Sequence, residues 1–187
     1  MRFYLITVGE RNPDTLSTCI QEYLSLRHGV KVNKSHAALL VEDAGKWSGV
    51  WESMGDGFKG PKDPVSALAD SEVREKILLN VRDPLQAIRW LREFLGTPYA
   101  NMQYLLFAPR WLRICSRYFI PRFLLKFIKN GKMLSFCSES MAHFIRNNCV
   151  SNDGHDAFED PGLTPERCDE IDPFLIVDVG LKYGTLC

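Results

Sequence analysis

The sequence predicts an α+β domain in which helices pack against a small antiparallel sheet. Three observations lead there. Residues 3–8, 35–42 and 47–54 are short runs rich in β-formers and bounded by turn residues. The last two are joined by a turn at Gly45 and read as a hairpin. Helical periodicity then takes over, after Asp83-Pro84 and again from Cys137. With 187 residues, 45% hydrophobic and 25% charged, the chain suits one domain with a good core, and no linker or repeat divides residues 1–187.

Taken in order, Phe3-Tyr4-Leu5-Ile6-Thr7-Val8 is a strand closed by Gly9. Asn12-Pro13-Asp14 is a turn. Asp14 or Thr15 caps a helix through Leu26, with Leu16, Ile20, Tyr23 and Leu24 on its apolar face. Residues 35–42 suit a buried strand with His36 at its start. Residues 47–54 follow as its hairpin partner, with Val50 and Glu52 on one face and Trp51 on the other. Residues 55–64, rich in Gly, Pro and Asp, read as a loop. Residues 73–81 fit a strand or a short helix. Asp83 as cap and Pro84 in the first turn begin a helix with a stripe of Leu85, Ile88, Leu91 and Leu95, stopped by Gly96. Residues 97–101 form an extended turn. Residues 147–165 read as a polar loop, and residues 174–179 as a last strand.

Lys plus Arg equals Asp plus Glu at 23 each, so no global charge points to nucleic acid. The apolar start is too short for a signal peptide, and no run reaches the ~18 apolar residues of a membrane-spanning helix. A cytoplasmic setting with reduced thiols is therefore expected. Cys19, Cys115, Cys137, Cys149, Cys168 and Cys187 contain no C-x-x-C pair. No cofactor is expected, and Cys149, His155 and Cys168 lack standard metal-ligand spacing.

Cys137 is the candidate that draws attention. Cys137, Met141, Phe144 and Ile145 share one helix face, and Ser135 is a suitable N-cap. Cys137 then lies in the first turn, where the helix dipole and free N–H groups favour a thiolate. The alternative is a buried small hydrophobe. A cysteine nucleophile needs a base and a group to orient that base. His36 opens a buried strand, and Glu52 lies on the neighbouring strand, within reach of its ring. The alternatives are a histidine bonded to a backbone carbonyl and an exposed strand glutamate. His143 is off the Cys137 face, and His155 lies in a loop.

Leu95-Gly96-Thr97-Pro98-Tyr99 followed by Cys137-Ser138 resembles the NlpC-type papain-like peptidases. In ordinary members the histidine strand follows the cysteine. Here Ser35-His36-Ala37-Ala38 precedes it, then Trp51-Glu52-Ser53, then Phe136-Cys137-Ser138-Glu139. That order resembles the circularly permuted YaeF/YiiX-like branch, related to the lecithin–retinol acyltransferase group. The resemblance runs from about Leu5 to Val179. It implies a single permuted papain-like domain and a thiol hydrolase of amidase or peptidase type. Cys137 would be the nucleophile, His36 the base and Glu52 the orienter. Glu139 would support the helix start, and the Cys137 N–H would be an oxyanion donor. The implied substrate is an amide or ester in a peptide, peptidoglycan or lipid. Lipid acyl transfer and a non-catalytic interaction module are the rival readings on the same fold. Such folds occur in bacteria and their phages, so a virion-associated role is compatible with it. Ala100 and Asn101 replace the Asp that often follows P-Y, and Ala38 replaces the usual Gly.

An insert at residues 105–134 carries Arg110, Arg113, Arg117, Arg122, Lys126, Lys129 and Lys132 with no Asp or Glu. Phe107, Trp111, Tyr118, Phe119, Phe123 and Phe127 are interleaved. This pattern fits a packed lid around Pro121, a protein-docking surface or peripheral contact with an anionic membrane.

Overall fold

A computed structural model describes residues 1–11, 15–44, 46–54, 57–97, 137–169 and 171–187. The turn expected at residues 12–14, all but Thr97 of the turn expected at residues 97–101, the Ser135 cap and the insert at residues 105–134 lie outside the described residues. Within them the chain is an α+β protein with a six-stranded antiparallel sheet. The strands are β1 (Arg2–Glu10), β2 (His36–Asp43), β3 (Lys46–Met54), β4 (Gly57–Lys62), β5 (Ser71–Leu79) and β6 (Gly184–Leu186), in the order β4-β3-β2-β1-β5-β6. The helices are α1 (Thr15–His28), α2 (Pro64–Ala67), α3 (Pro84–Glu93), α4 (Cys137–Asn148), α5 (Pro165–Cys168) and α6 (Leu175–Lys182).

Strand β1 is central and buried along both faces, which is why residues 3–8 show no polar alternation. On one face Phe3, Leu5, Leu39, Trp51 and Ile77 join Leu91, Met141, Phe144 and Ile145 in the main core. On the other, Tyr4, Ile6, Val8, Ala38, Leu40 and Val50 form a second cluster. Val50 and Trp51 thus take opposite faces, as the period of two requires. Helix α4 lies on β2 and β3 and is flanked by α3, α5 and α6. Its predicted apolar face, Cys137, Met141, Phe144 and Ile145, is buried throughout. Helix α1 ends at His28-Gly29, where Gly29 sits at φ +70° and its N–H bonds the Ser25 carbonyl.

Four expectations are corrected. Of residues 174–179, 175–179 are helical and Phe174 is the helix N-cap; none is in a strand. Asp172 Oδ1 accepts the N–H groups of Phe174 and Leu175 and so starts α6. A short apolar run carries no period that decides between helix and strand. A Cβ on Gly180 would lie 2.6 Å from Leu5 Cδ2, so glycine lets α6 sit close on the sheet. The last strand is instead β6, paired with β5.

Residues 55–64 contain an edge strand, β4, rather than a loop alone. Edge position tolerates Pro61, and Gly60 and Gly49 serve close packing: a Cβ on either would lie within 2.6 Å of Trp51 or Pro61. The α3 stripe is also rotated. Ala87 and Leu91 are buried, whereas Leu85 and Leu95 are exposed. Trp90 and Phe94 stack at 4.1 Å, and Phe94 meets Phe58 edge-on, so large rings displace the leucines from the contact. Finally, residues 147–165 hold β-bridges at Cys149 and Val150 and two 3-10 turns, each begun by an aspartate cap. The undecided residues 73–81 belong largely to β5, and Asp83 caps α3 through the N–H groups of Leu85 and Gln86.

Candidate active site

Cys137 opens α4, and that helix's entire first turn is buried. Met141, Phe144 and Ile145 anchor the helix in the core, so the position of the thiol follows from packing. Ser138 donates its hydroxyl to the Ile171 carbonyl at 2.7 Å and ties the helix start to the segment before α6. Cys137 itself is 4% exposed.

His36 is the first residue of β2. Ala38 pairs across the ladder with Glu52 of β3, so His36 and Glu52 are diagonal neighbours on one face. The His36 Nε2 and Glu52 Oε2 lie 2.9 Å apart. The His36 side chain is also hydrogen-bonded to Cys137. With Nε2 directed at the carboxylate, Nδ1 is the ring nitrogen left for the thiol. Backbone N–H groups of Ala37 and Ser138 also hydrogen-bond the Cys137 sulfur. The structure therefore brings together all three residues singled out in the sequence.

The ionisation of the site follows from these contacts. Burial opposes a thiolate at Cys137, but the His36 imidazolium, by charge and by hydrogen bond, and the two backbone donors hold it below the ordinary thiol range. The start of α4 adds the helix dipole in the same direction. Burial likewise opposes a charge on His36. The Cys137 thiolate, then Glu52, overcome it and raise His36 to about 10. For Glu52, burial would raise the carboxyl, yet His36 and then Lys62 bring it down to about 2. The arrangement thus favours a thiolate–imidazolium pair backed by a carboxylate.

The sequence offered no hint of Lys62. Its Nζ donates to Glu52 Oε1 at 2.7 Å. It stands on β4, within residues read as a loop, where no register was available to connect it with Glu52. The signal that could have found it is that a buried carboxylate has two oxygens to satisfy.

The other histidines are engaged elsewhere. His143 bonds Asp169 at 3.0 Å, His28 bonds Asp172 at 2.9 Å, and His155 is 84% exposed beside Asp153. Cys149 and Cys168 are buried free thiols, and burial pushes both upward, Cys168 to about 12. Glu139 is buried in the first turn of α4. Among the described residues, no group of three or more His, Cys, Asp or Glu side chains is placed to hold a metal ion. No helix among them is long and apolar enough to cross a membrane. No family model matches the chain, and no curated protein or solved structure matches it.

Proposed function

We propose that the protein is a cysteine hydrolase of amidase or peptidase type, working through an acyl-enzyme on Cys137. The observation that supports this reading is the continuous hydrogen-bonded run from Cys137 through His36 to Glu52 at a buried helix start. In the first half-reaction Cys137 Sγ attacks the carbonyl carbon, forming a C–S bond while the carbonyl electron pair moves onto oxygen. The pair returns as the amine or alcohol departs with a proton from His36. In the second, His36 takes a proton from water, which attacks the thioester and releases Cys137. Glu52 holds the ring in one orientation and stabilises its charged form.

The order of histidine strand, acid strand and cysteine helix supports assignment to the permuted papain-like NlpC-type group. Its substrate would then be an amide or ester carried by a peptide, peptidoglycan or lipid. Acyl transfer differs only in that an alcohol or amine replaces water in the second half-reaction.

The test is intact-mass analysis of the full chain after exposure to p-nitrophenyl acetate. The expected result is a transient acyl adduct on Cys137 that forms more slowly in His36→Ala and never in Cys137→Ser. An adduct that persists in Cys137→Ser, or forms equally fast in His36→Ala, overturns the proposal. Labelling no faster at Cys137 than at exposed Cys187 would favour a non-catalytic module.

A further inference from the structure

Glu52 has a second oxygen, and its partner sets up a role for a residue outside the three. Oε2 meets His36, while Oε1 accepts from Lys62 Nζ at 2.7 Å. The Glu52 side chain is 8% exposed and that of Lys62 is 35% exposed. The ammonium therefore reaches from the sheet edge onto a carboxylate largely shielded from water, unlike a pair in which both charges are hydrated.

Register carries Lys62 there. Val50 pairs with Lys62 and Glu52 with Lys59, so β4 holds one more residue than β3 between the two pairs. Gly60 lies within this irregularity, and a Cβ there would sit 2.6 Å from the Trp51 ring. Among the described residues, the charged groups acting on the Glu52 carboxylate are His36 from β2 and Lys62 from β4, and Lys59 is its register partner on β4. Cys137 of α4 faces His36.

We infer that Lys62 is a positioning residue of this site: its bond to Oε1 fixes the Glu52 carboxylate with Oε2 on His36, and its charge stands behind the carboxylate that backs the Cys137–His36 pair. This rests on the reading of Cys137 as nucleophile and His36 as base. Without Lys62, Oε1 is a shielded acceptor with one partner fewer, and the carboxylate loses the second anchor that sets its rotation. The charge has a further consequence. Two hydrogen bonds and the width of a carboxylate put Nζ about 7 Å from the His36 ring. A cation at that distance favours the deprotonated form of every acid nearby. Its removal should raise the midpoints of both the thiol and the imidazolium by about half a unit to one and a half units.

The experiment compares full-length wild type, Lys62→Met and Lys62→Arg, with folding verified by circular dichroism. The pH dependence of Cys137 alkylation by iodoacetamide is mapped by mass spectrometry. Thiolate ultraviolet absorbance, taken as the difference from Cys137→Ser, gives the same midpoint without depending on access. Ring-15N histidine spectra follow His36. Lys62→Met should move both midpoints upward by about half a unit or more, and Lys62→Arg should restore them. A residue needed only for folding would lower stability and leave both midpoints in place. Wild-type midpoints in Lys62→Met overturn the proposal, as does a shift that Lys62→Arg fails to reverse. If wild-type Cys137 shows no thiolate below the ordinary thiol range, the reading of the site fails and the role of Lys62 falls with it.

Discussion

Glu52→Gln removes one charge from the site while keeping side-chain volume. In the native protein burial works against the carboxylate, yet His36 and Lys62 bring it from 4.5 to about 2. A shift of that size at a largely buried group corresponds to about 3 kcal/mol of stability. Because the folded value is depressed, this stability is present above pH 4.5 and is lost as pH falls from 4.5 toward about 2. The variant lacks it at every pH. Urea unfolding of both proteins, at neutrality and at several pH values between 4.5 and 2, reads the difference directly. The gap should be as much as about 3 kcal/mol near neutrality and should close on acidification. His36 has the opposite sign. Its raised value contributes stability that is full below 6.5 and is lost as pH rises through about 10. The variant should therefore also lose less than wild type on the alkaline side. A gap that stays constant with pH, or widens toward acid, would refute the claim that Glu52 is a carboxylate held by His36 and Lys62.

Near neutral pH, Cys137 should be alkylated by iodoacetamide about tenfold or more faster than Cys149 and Cys168, which burial holds as thiols, and faster than exposed Cys187. His36→Ala should erase most of that lead; peptide mapping over a short time course reads both, and equal rates at all four cysteines would count against a Cys137 thiolate. Gly60→Ala places a Cβ 2.6 Å from Trp51 Cδ2 at φ +153° and should lower stability by about 2 kcal/mol in thermal or urea unfolding. It should also slow Cys137 alkylation, because it displaces the strand that carries Lys62; an unchanged rate would show that β4 geometry does not reach the site.

The parts of this protein that were legible in its sequence are those written in local chemistry. The Asp83-Pro84 start of α3, the 3.6-residue period from Cys137 to Ile145 and the β-rich stretch from Phe3 to Val8 each specify an element from neighbouring residues alone. A cysteine in a first helical turn, a histidine at the start of a buried strand and a glutamate across a hairpin could also be nominated locally, since hairpin register brings the last two together.

What stayed hidden was decided by partners distant in sequence. The short run after Phe174 carries no decisive period, and it became a helix through Asp172 and the close seat of Gly180 on Leu5 and Ile77. Gly60 of β4 looks like a turn residue until Trp51 is seen packed against the position a side chain would fill, and Gly49 of β3 meets Pro61 in the same way. Lys62 belongs to the site only because a one-residue register shift aims it at Glu52. A sheet's order and register are set by the burial of both its faces at once, and no short stretch of sequence contains that information.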